Sequence, residues 1–452
     1  MTEPVTEVTR MLARYVVGAR PGDTPAAVLH EAKRSFLNWI GCAVGGCRHE
    51  AVEKAMQVVR DLSGAPRATV IGRRDRLDVV QATLINAMSS LVLDFDDAHS
   101  GDKIVLHPAG PVGPAAAALA EQAGSTGQEL LHAFLLGIEV ECRIGNAVYP
   151  SDNVGWYLTS TMGAFGAAAC AGRLLRLNEQ QMTWALGLAA AQSAGLRATH
   201  GTMTKSFSPG RAASSGVLAA LLAAADFTSA ENVVEAPAVG FADLMGSSER
   251  LASVTAGLGE RFQVSRNTYK PYACAIGMHP SVAGCLQLRA EHDLTPVQIE
   301  KVELQVFPRV IKANGIRQPK NGLEAKISLT HAIAAALVEG KAGEQQFVDA
   351  KAGDHEVSML RERISAVAEP GFGKNEAHVR IHLKDGRTLT THVEQALGTL
   401  ERPMSDRDLE LKVSGLAEGV LTSMQTDRLI QHCWELDDLP GMEPLRAAVT
   451  PG

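Results

Sequence analysis

The chain has 452 residues, 46% hydrophobic and 21% charged, which suits a soluble globular protein and exceeds the size at which one core stops growing, so two domains are expected. Its 43 basic and 50 acidic side chains give a net charge of -7, with no Lys/Arg-rich run and no basic patch interleaved with aromatics, which argues against a nucleic-acid partner. Seven cysteines, an odd number without a CxxC pair, point away from a zinc ribbon or a disulfide scaffold and toward reduced, buried thiols.

The N-terminal stretch MTEPVTEVTRMLARYVVGAR lacks a secretory apolar segment, and the apolar runs are interrupted before membrane-span length. A cytoplasmic protein without a membrane partner is expected. From about residue 5 to 265 apolar residues recur at three-and-four spacing, predicting successive helices. They include EVTRMLARYVVGA, DVVQATLINAMSSLVLDF, QELLHAFLLGIEVECRIGNAVY, a helix starting near Gly210, and SAENVVEAP at 229–237. The segment 68–74, ATVIGRR, is the one extended piece expected in this half.

After residue 268 the character changes. A helix reads through HPSVAGCLQLRAEH, then IEKVELQVFP alternates Val302, Leu304 and Val306 on one face, which is strand periodicity. LEAKISLTHAIAAALVEGK begins another helix, and AHVRIHLKDGRTLTTHVE is a hairpin turning at Asp385-Gly386. Helical pattern resumes from Met404. The expected architecture is mainly α: an all-helical domain over 1–267, an inserted α+β domain with an antiparallel sheet over 268–395, and helices of 396–452 returning to the first domain.

Four stretches concentrate chemistry. LVLDFDDAHSGDKIVLHPAGP (91–111) holds Asp94, Asp96, Asp97, Asp102, His99 and His107. Its oxygens suggest a metal nest, but the spacing matches neither an EF-hand nor a zincin. His107, followed by Pro108 at a helix mouth, sits where a helix dipole tunes an imidazole. GTMTKSFSPGRAA (201–213) frames a turn with Lys205, Ser208 and Arg211, a carboxylate- or phosphate-binding pattern without Walker spacing. YKPYACAIGMHP (269–280) brings Lys270, Tyr272, Cys274 and a second His-Pro at His279. NVGWYLTSTMGAFGAA (153–168) presents Tyr157, a phenol able to serve as acid, base or donor.

Together with LEAKISLTHAIAAALVEG, these stretches resemble, in order and over nearly the whole chain, signatures of the MmgE/PrpD family. That family includes 2-methylcitrate dehydratase, cis-aconitate decarboxylase and iminodisuccinate epimerase. The resemblance implies a helical domain completed by C-terminal helices, a smaller α+β domain, and an interdomain active site without metal or organic cofactor. It also implies a homodimer and a small di- or tricarboxylate substrate. Asp94, His107, Lys205 and His279 fall on family motif positions. The chain departs from the family pattern at Tyr157 and Ser208, where histidines are common, and at Arg317-Gln318, where a tyrosine is usual.

The resulting expectation is a cofactor-independent lyase, a dehydratase or decarboxylase, abstracting a proton next to a carboxylate. His107, Lys205, His279, Asp94 and Tyr157 are its catalytic candidates, and Arg211, Ser208, Lys270, Tyr272 and His99 its substrate-binding candidates. An epimerase with two bases is the alternative, favoured mildly by Tyr157. A non-catalytic carboxylate binder is the third.

Overall fold

Local signals in the sequence set the helix ends in this computed structural model, which describes residues 7–100, 105–149, 155–246 and 248–452. Asp78 accepts from the N–H groups of Val80 and Gln81 and so starts α4 (Val79–Val92). Thr126 and Glu129 cap α6 (Gly127–Val148) reciprocally, and Asn178 with Gln181 does the same for α8 (Glu179–Ala190). Gly124, at φ 65°, ends α5 (Ala109–Ala123) in the left-handed conformation that needs no Cβ. The remaining long helices of this half are α1 (Val8–Gly18), α2 (Ala26–Gly46), α3 (Glu50–Leu62), α7 (Leu158–Leu174) and α9 (Thr204–Ala224).

Helix α7 is the hub, packed on α5, α6, α8 and α9 and buried along almost its whole length. Its small residues make this possible. A Cβ on Gly216 of α9 would lie 2.5 Å from the Ala164 carbonyl, so the two backbones touch only because that position is glycine. Alanine and glycine, abundant in the sequence, thus act as close-packing surface.

The periodicity readings largely match these helices, with three differences. Helix α9 begins at Thr204, six residues before the expected Gly210, so Lys205, Ser208 and Arg211 are helical rather than parts of a preceding turn. Residues 229–237 form turns, not a helix, since Pro237 steers Ala236 away from helical dihedrals in an already short segment. Extended structure in this half also goes beyond 68–74. There β1 (Ala68–Thr69) pairs with β2 (Arg76–Leu77), but β3 (Asp97–Ser100) also joins β4 (Val105–Leu106) and β5 (Asn267–Tyr269) in an antiparallel sheet ordered β4-β3-β5. Strands of two to four residues are too short to display a period.

The second half holds a four-stranded sheet, β7-β6-β8-β9, built from β6 (Ile299–Val306), β7 (Ile364–Ala368), β8 (Ala377–Leu383) and β9 (Thr388–Val393). Val302, Leu304 and Val306 face its core, and Gly386, at φ 89°, turns the β8–β9 hairpin. The sheet is mixed rather than wholly antiparallel: β7, which the sequence reading did not identify, runs parallel to β6 with Val302 opposite Ile364. Helices His279–Glu291 and Leu329–Glu339 cover it.

Helices Asp406–Ala417 and Ser423–Trp434 then lie back on α2, so closely that a Cβ on Gly41 would meet Val413 at 2.6 Å. The fold is mainly α with an α+β portion. Among the described residues no helix is long and apolar enough to cross a membrane.

Candidate active site

Where α4 ends, Asp94 adopts φ 53°, a left-handed conformation that costs a non-glycine residue energy and that Asp tolerates better than most. The reversal sends the chain through Asp96 into β3 and, by way of β4, to His107 at the mouth of α5. Lys270 follows β5 directly, and pairing of Asp97 with Tyr269 brings it alongside. Lys205, in the first turn of α9, approaches the same carboxylates. Three stretches distant in sequence therefore meet.

The Lys270 ammonium lies 2.5 Å from Asp94 Oδ1 and 2.8 Å from Asp96 Oδ1. Lys205 Nζ lies 3.0 Å from the same Asp94 oxygen, without the alignment of a hydrogen bond. Burial alone would push the Asp94 carboxyl up, but Lys205 and Lys270 hold it well below the usual carboxylate range. Asp96 is likewise held low against burial, by His107 and then Lys270. Both lysines are raised in return, the two carboxylates outweighing the desolvation of their ammonium groups.

Exposure separates the roles. Lys270, expected to bind substrate, is 1% exposed, with its ammonium between the carboxylates of Asp94 and Asp96. Lys205 and His107 are each 12% exposed, and they are the members of the cluster able to meet a ligand.

His107 Nδ1 stands 2.6 Å from the Asp97 carbonyl oxygen and 2.9 Å from Asp96 Oδ2. A carbonyl only accepts, so in the neutral ring the proton sits on Nδ1 and the lone pair on Nε2. The Thr159 hydroxyl, from α7, accepts from the His107 backbone N–H at 3.2 Å and fixes the ring's base. An imidazole oriented through Nδ1 beside the Asp96 carboxylate is an arrangement a general acid or base requires.

The other expected residues fall differently. Tyr157 is buried at the start of α7, its hydroxyl without a hydrogen-bond partner among the described residues, and burial raises its phenol. His279 is buried with Nε2 donating to the Cys274 carbonyl at 3.1 Å, and burial followed by the Lys270 charge lowers it to about 3. It is therefore neutral near pH 7. Tyr272 packs edge-on against the His279 ring.

Arg211 is exposed on α9 and donates to Ser214 of its own helix, while Ser208 is half-buried one turn after Lys205. His99, expected to bind substrate, is fully buried with Nε2 at 3.1 Å from Gln263 Oε1. Burial pushes the Cys274 thiol up, away from a nucleophilic thiolate. Asp102 lies outside the described residues. Among the described residues no group of three His, Cys, Asp or Glu side chains is placed to hold a metal ion.

Three residues escaped the sequence reading. His200, in the loop before α9, packs edge-on to Tyr157 at 4.7 Å with its Nε2 unpartnered among the described residues. Lys326, in the LEAKIS stretch, is buried above the Phe347 ring with its ammonium 3.4 Å from the Ala273 carbonyl. Lys412, from helix Asp406–Ala417, donates to Asn38 Oδ1, Phe95 O and Lys270 O at 2.5–2.9 Å. Burial lowers both lysines to about 8. A single Lys or His in a mixed segment carries no local sign of such placement. The EAK element was the one available hint, for Lys326.

Known proteins resemble the chain over nearly its whole length. Residues 10–253 match the MmgE/PrpD N-terminal domain and residues 272–436 the MmgE/PrpD C-terminal domain. A cis-aconitate decarboxylase of Aspergillus terreus is 28% identical over 470 residues, covering 97% of this chain and 95% of that protein. Those of Homo sapiens and Mus musculus are each 26% identical, covering 96% of this chain and 92% and 91% of theirs. The chain belongs to the MmgE/PrpD family and is an enzyme of that family's lyase or isomerase kind.

Proposed function

We propose, taking MmgE/PrpD membership as the premise, that the chain cleaves a small di- or tricarboxylate by proton transfer at the carbon next to a carboxylate. The observation that carries this is the pairing of His107, whose Nε2 has no hydrogen bond among the described residues, with a Lys205 ammonium whose N–H bonds are not aligned on Asp94. Lys205 would seat the carboxylate and stabilise the charge that builds on it as the adjacent bond breaks. His107 would remove the proton in a dehydration, with hydroxide leaving as water, or return one to the carbanion left by carbon dioxide. Asp96 would stabilise the imidazolium in either direction. Asp94 and Lys270 would keep this frame rigid. The names of the relatives support the decarboxylase form, with cis-aconitate as the first substrate to try.

Proton NMR in heavy water with cis-aconitate, citrate and 2-methylcitrate tests the reading. New alkene signals or loss of carbon dioxide are expected. Exchange at the α-carbon with no mass loss and no new alkene would reject the lyase and support the epimerase. His107→Gln should leave a folded protein with turnover reduced on the order of 10²–10⁴, the usual contribution of a positioned acid–base group. A homodimer in the cytoplasm belongs to the same proposal, and light scattering at twice the chain mass would support the assembly.

A further inference from the structure

Three polar atoms beside one another are left unspent by the fold: Tyr157 Oη, His200 Nε2 and Lys205 Nζ are all buried without a hydrogen-bond partner among the described residues. Buried polar groups are normally satisfied, so three in one place call for a shared explanation. The two rings meet edge-on at 4.7 Å with planes at 85°, and both feel the Lys205 charge.

The loop that carries His200 is held in register. The N–H of Tyr157 donates to the Gly195 carbonyl at 3.2 Å and that of Arg197 to the Gly155 carbonyl at 2.9 Å, with Trp156 bridged to Leu196. Gly195, at φ 142°, sits where a Cβ would strike Ser160 at 2.5 Å, so loop and helix start fit only with glycine there. The pair is thus a built feature of the fold.

We propose that Tyr157 and His200 form, with Lys205, a seat for a second substrate carboxylate, and that His200 is a specificity-determining residue. The inference rests on the polycarboxylate reading above and deepens it. A phenol O–H, an imidazole N–H and an ammonium are all donors, and a carboxylate with its several lone pairs accepts from all three. Burial, together with the neighbouring charges of Lys205 and Arg197, lowers His200 to about 3, so it meets an anion as a neutral donor with its proton on Nε2. With His107 acting at the reacting carbon, such a seat selects acids bearing at least two carboxylates over monocarboxylates.

Calorimetric titration of the full chain with cis-aconitate, citrate and crotonate tests this, using wild type, Tyr157→Phe, His200→Leu, His200→Gln and Lys205→Met. Tyr157→Phe and His200→Leu should each weaken cis-aconitate or citrate at least tenfold, and raise KM by more than they lower kcat. Their melting temperatures without ligand should equal or exceed wild type, because each loses an unpaired buried atom. His200→Gln, which restores an N–H donor, should recover part of the affinity. Wild-type binding by Tyr157→Phe and His200→Leu, with Lys205→Met defective, would overturn this inference and leave the proposed function standing. Failure of the wild-type protein to bind either polycarboxylate more tightly than crotonate would overturn both.

Discussion

Asp97 is fully buried one residue from the ionised Asp96, and its Oδ1 has no hydrogen-bond partner among the described residues, while Oδ2 accepts from Ala109 N and Asn267 Nδ2. Burial first, then the Asp96 charge, raises it from 3.8 to about 7. A carboxyl raised on folding favours the native state only while protonated, so this contribution is lost as pH climbs from 3.8 through 7. Asp97→Asn removes the titration and keeps the shape. Relative to wild type, the variant should gain on the order of 2.5 kcal/mol between pH 5 and pH 8. That corresponds to a melting-temperature gap widening by about 3 °C for a chain of this length, readable by calorimetry at the two pH values. A gap independent of pH would refute the assignment. The sequence exposed this cluster but not its division of labour. Adjacent Asp96 and Asp97 look equivalent as text; only the strand pairing at Asp97, which sends its neighbour toward Lys270 and His107, makes one strongly acidic and the other nearly neutral.

Among the elements, helices were legible because three-and-four periodicity persists over ten or more residues, and the β8–β9 hairpin because its Asp-Gly turn is flanked by alternation. The sheet β4-β3-β5 was not, although it aligns Asp97 with Tyr269 and so places Lys270. Helix Asp406–Ala417 was legible as a helix, while its part in the site came only from packing: Lys412 crosses into the first half and ties together Asn38, Phe95 and Lys270. Lys412→Met would leave three buried acceptors without their donor. Removal of one partner from a buried charged network costs on the order of 3–5 kcal/mol. Urea denaturation should show a midpoint shifted to match. Turnover should also fall, since the carbonyls of Phe95 and Lys270 flank the residues that form the carboxylate–lysine frame. A variant of undiminished stability would show that this helix is a passive cover.

Across the whole molecule, an acidic chain with a net charge of -7 concentrates positive charge in one place. Lys205, Lys270, Lys326 and Lys412 gather around Asp94 and Asp96 with Asp97 raised to about 7, so four ammonium groups face two firmly ionised carboxylates. Such a focus attracts polyanions despite the overall sign. Two of the four are titratable near neutrality, since burial lowers Lys326 and Lys412 to about 8. Lys412 is committed to three oxygens, whereas among the described residues Lys326 has one long contact to Ala273 O and the face of Phe347, so of these two Lys326 has capacity to spare. A lysine lowered by burial is charged below its folded value and neutral above it. Affinity for citrate or cis-aconitate should therefore hold between pH 6 and 7, then fall by up to about tenfold by pH 9, as a charge-assisted contact is lost. Binding of the anion favours the charged form in turn, so at pH 8 calorimetry in buffers of different ionisation enthalpy should register proton uptake of up to about half a proton from Lys326. Lys326→Met should bind more weakly at pH 7 and follow a flatter profile above it. An unchanged profile in that variant would move the alkaline limb to another group and remove Lys326 from the anion's surroundings.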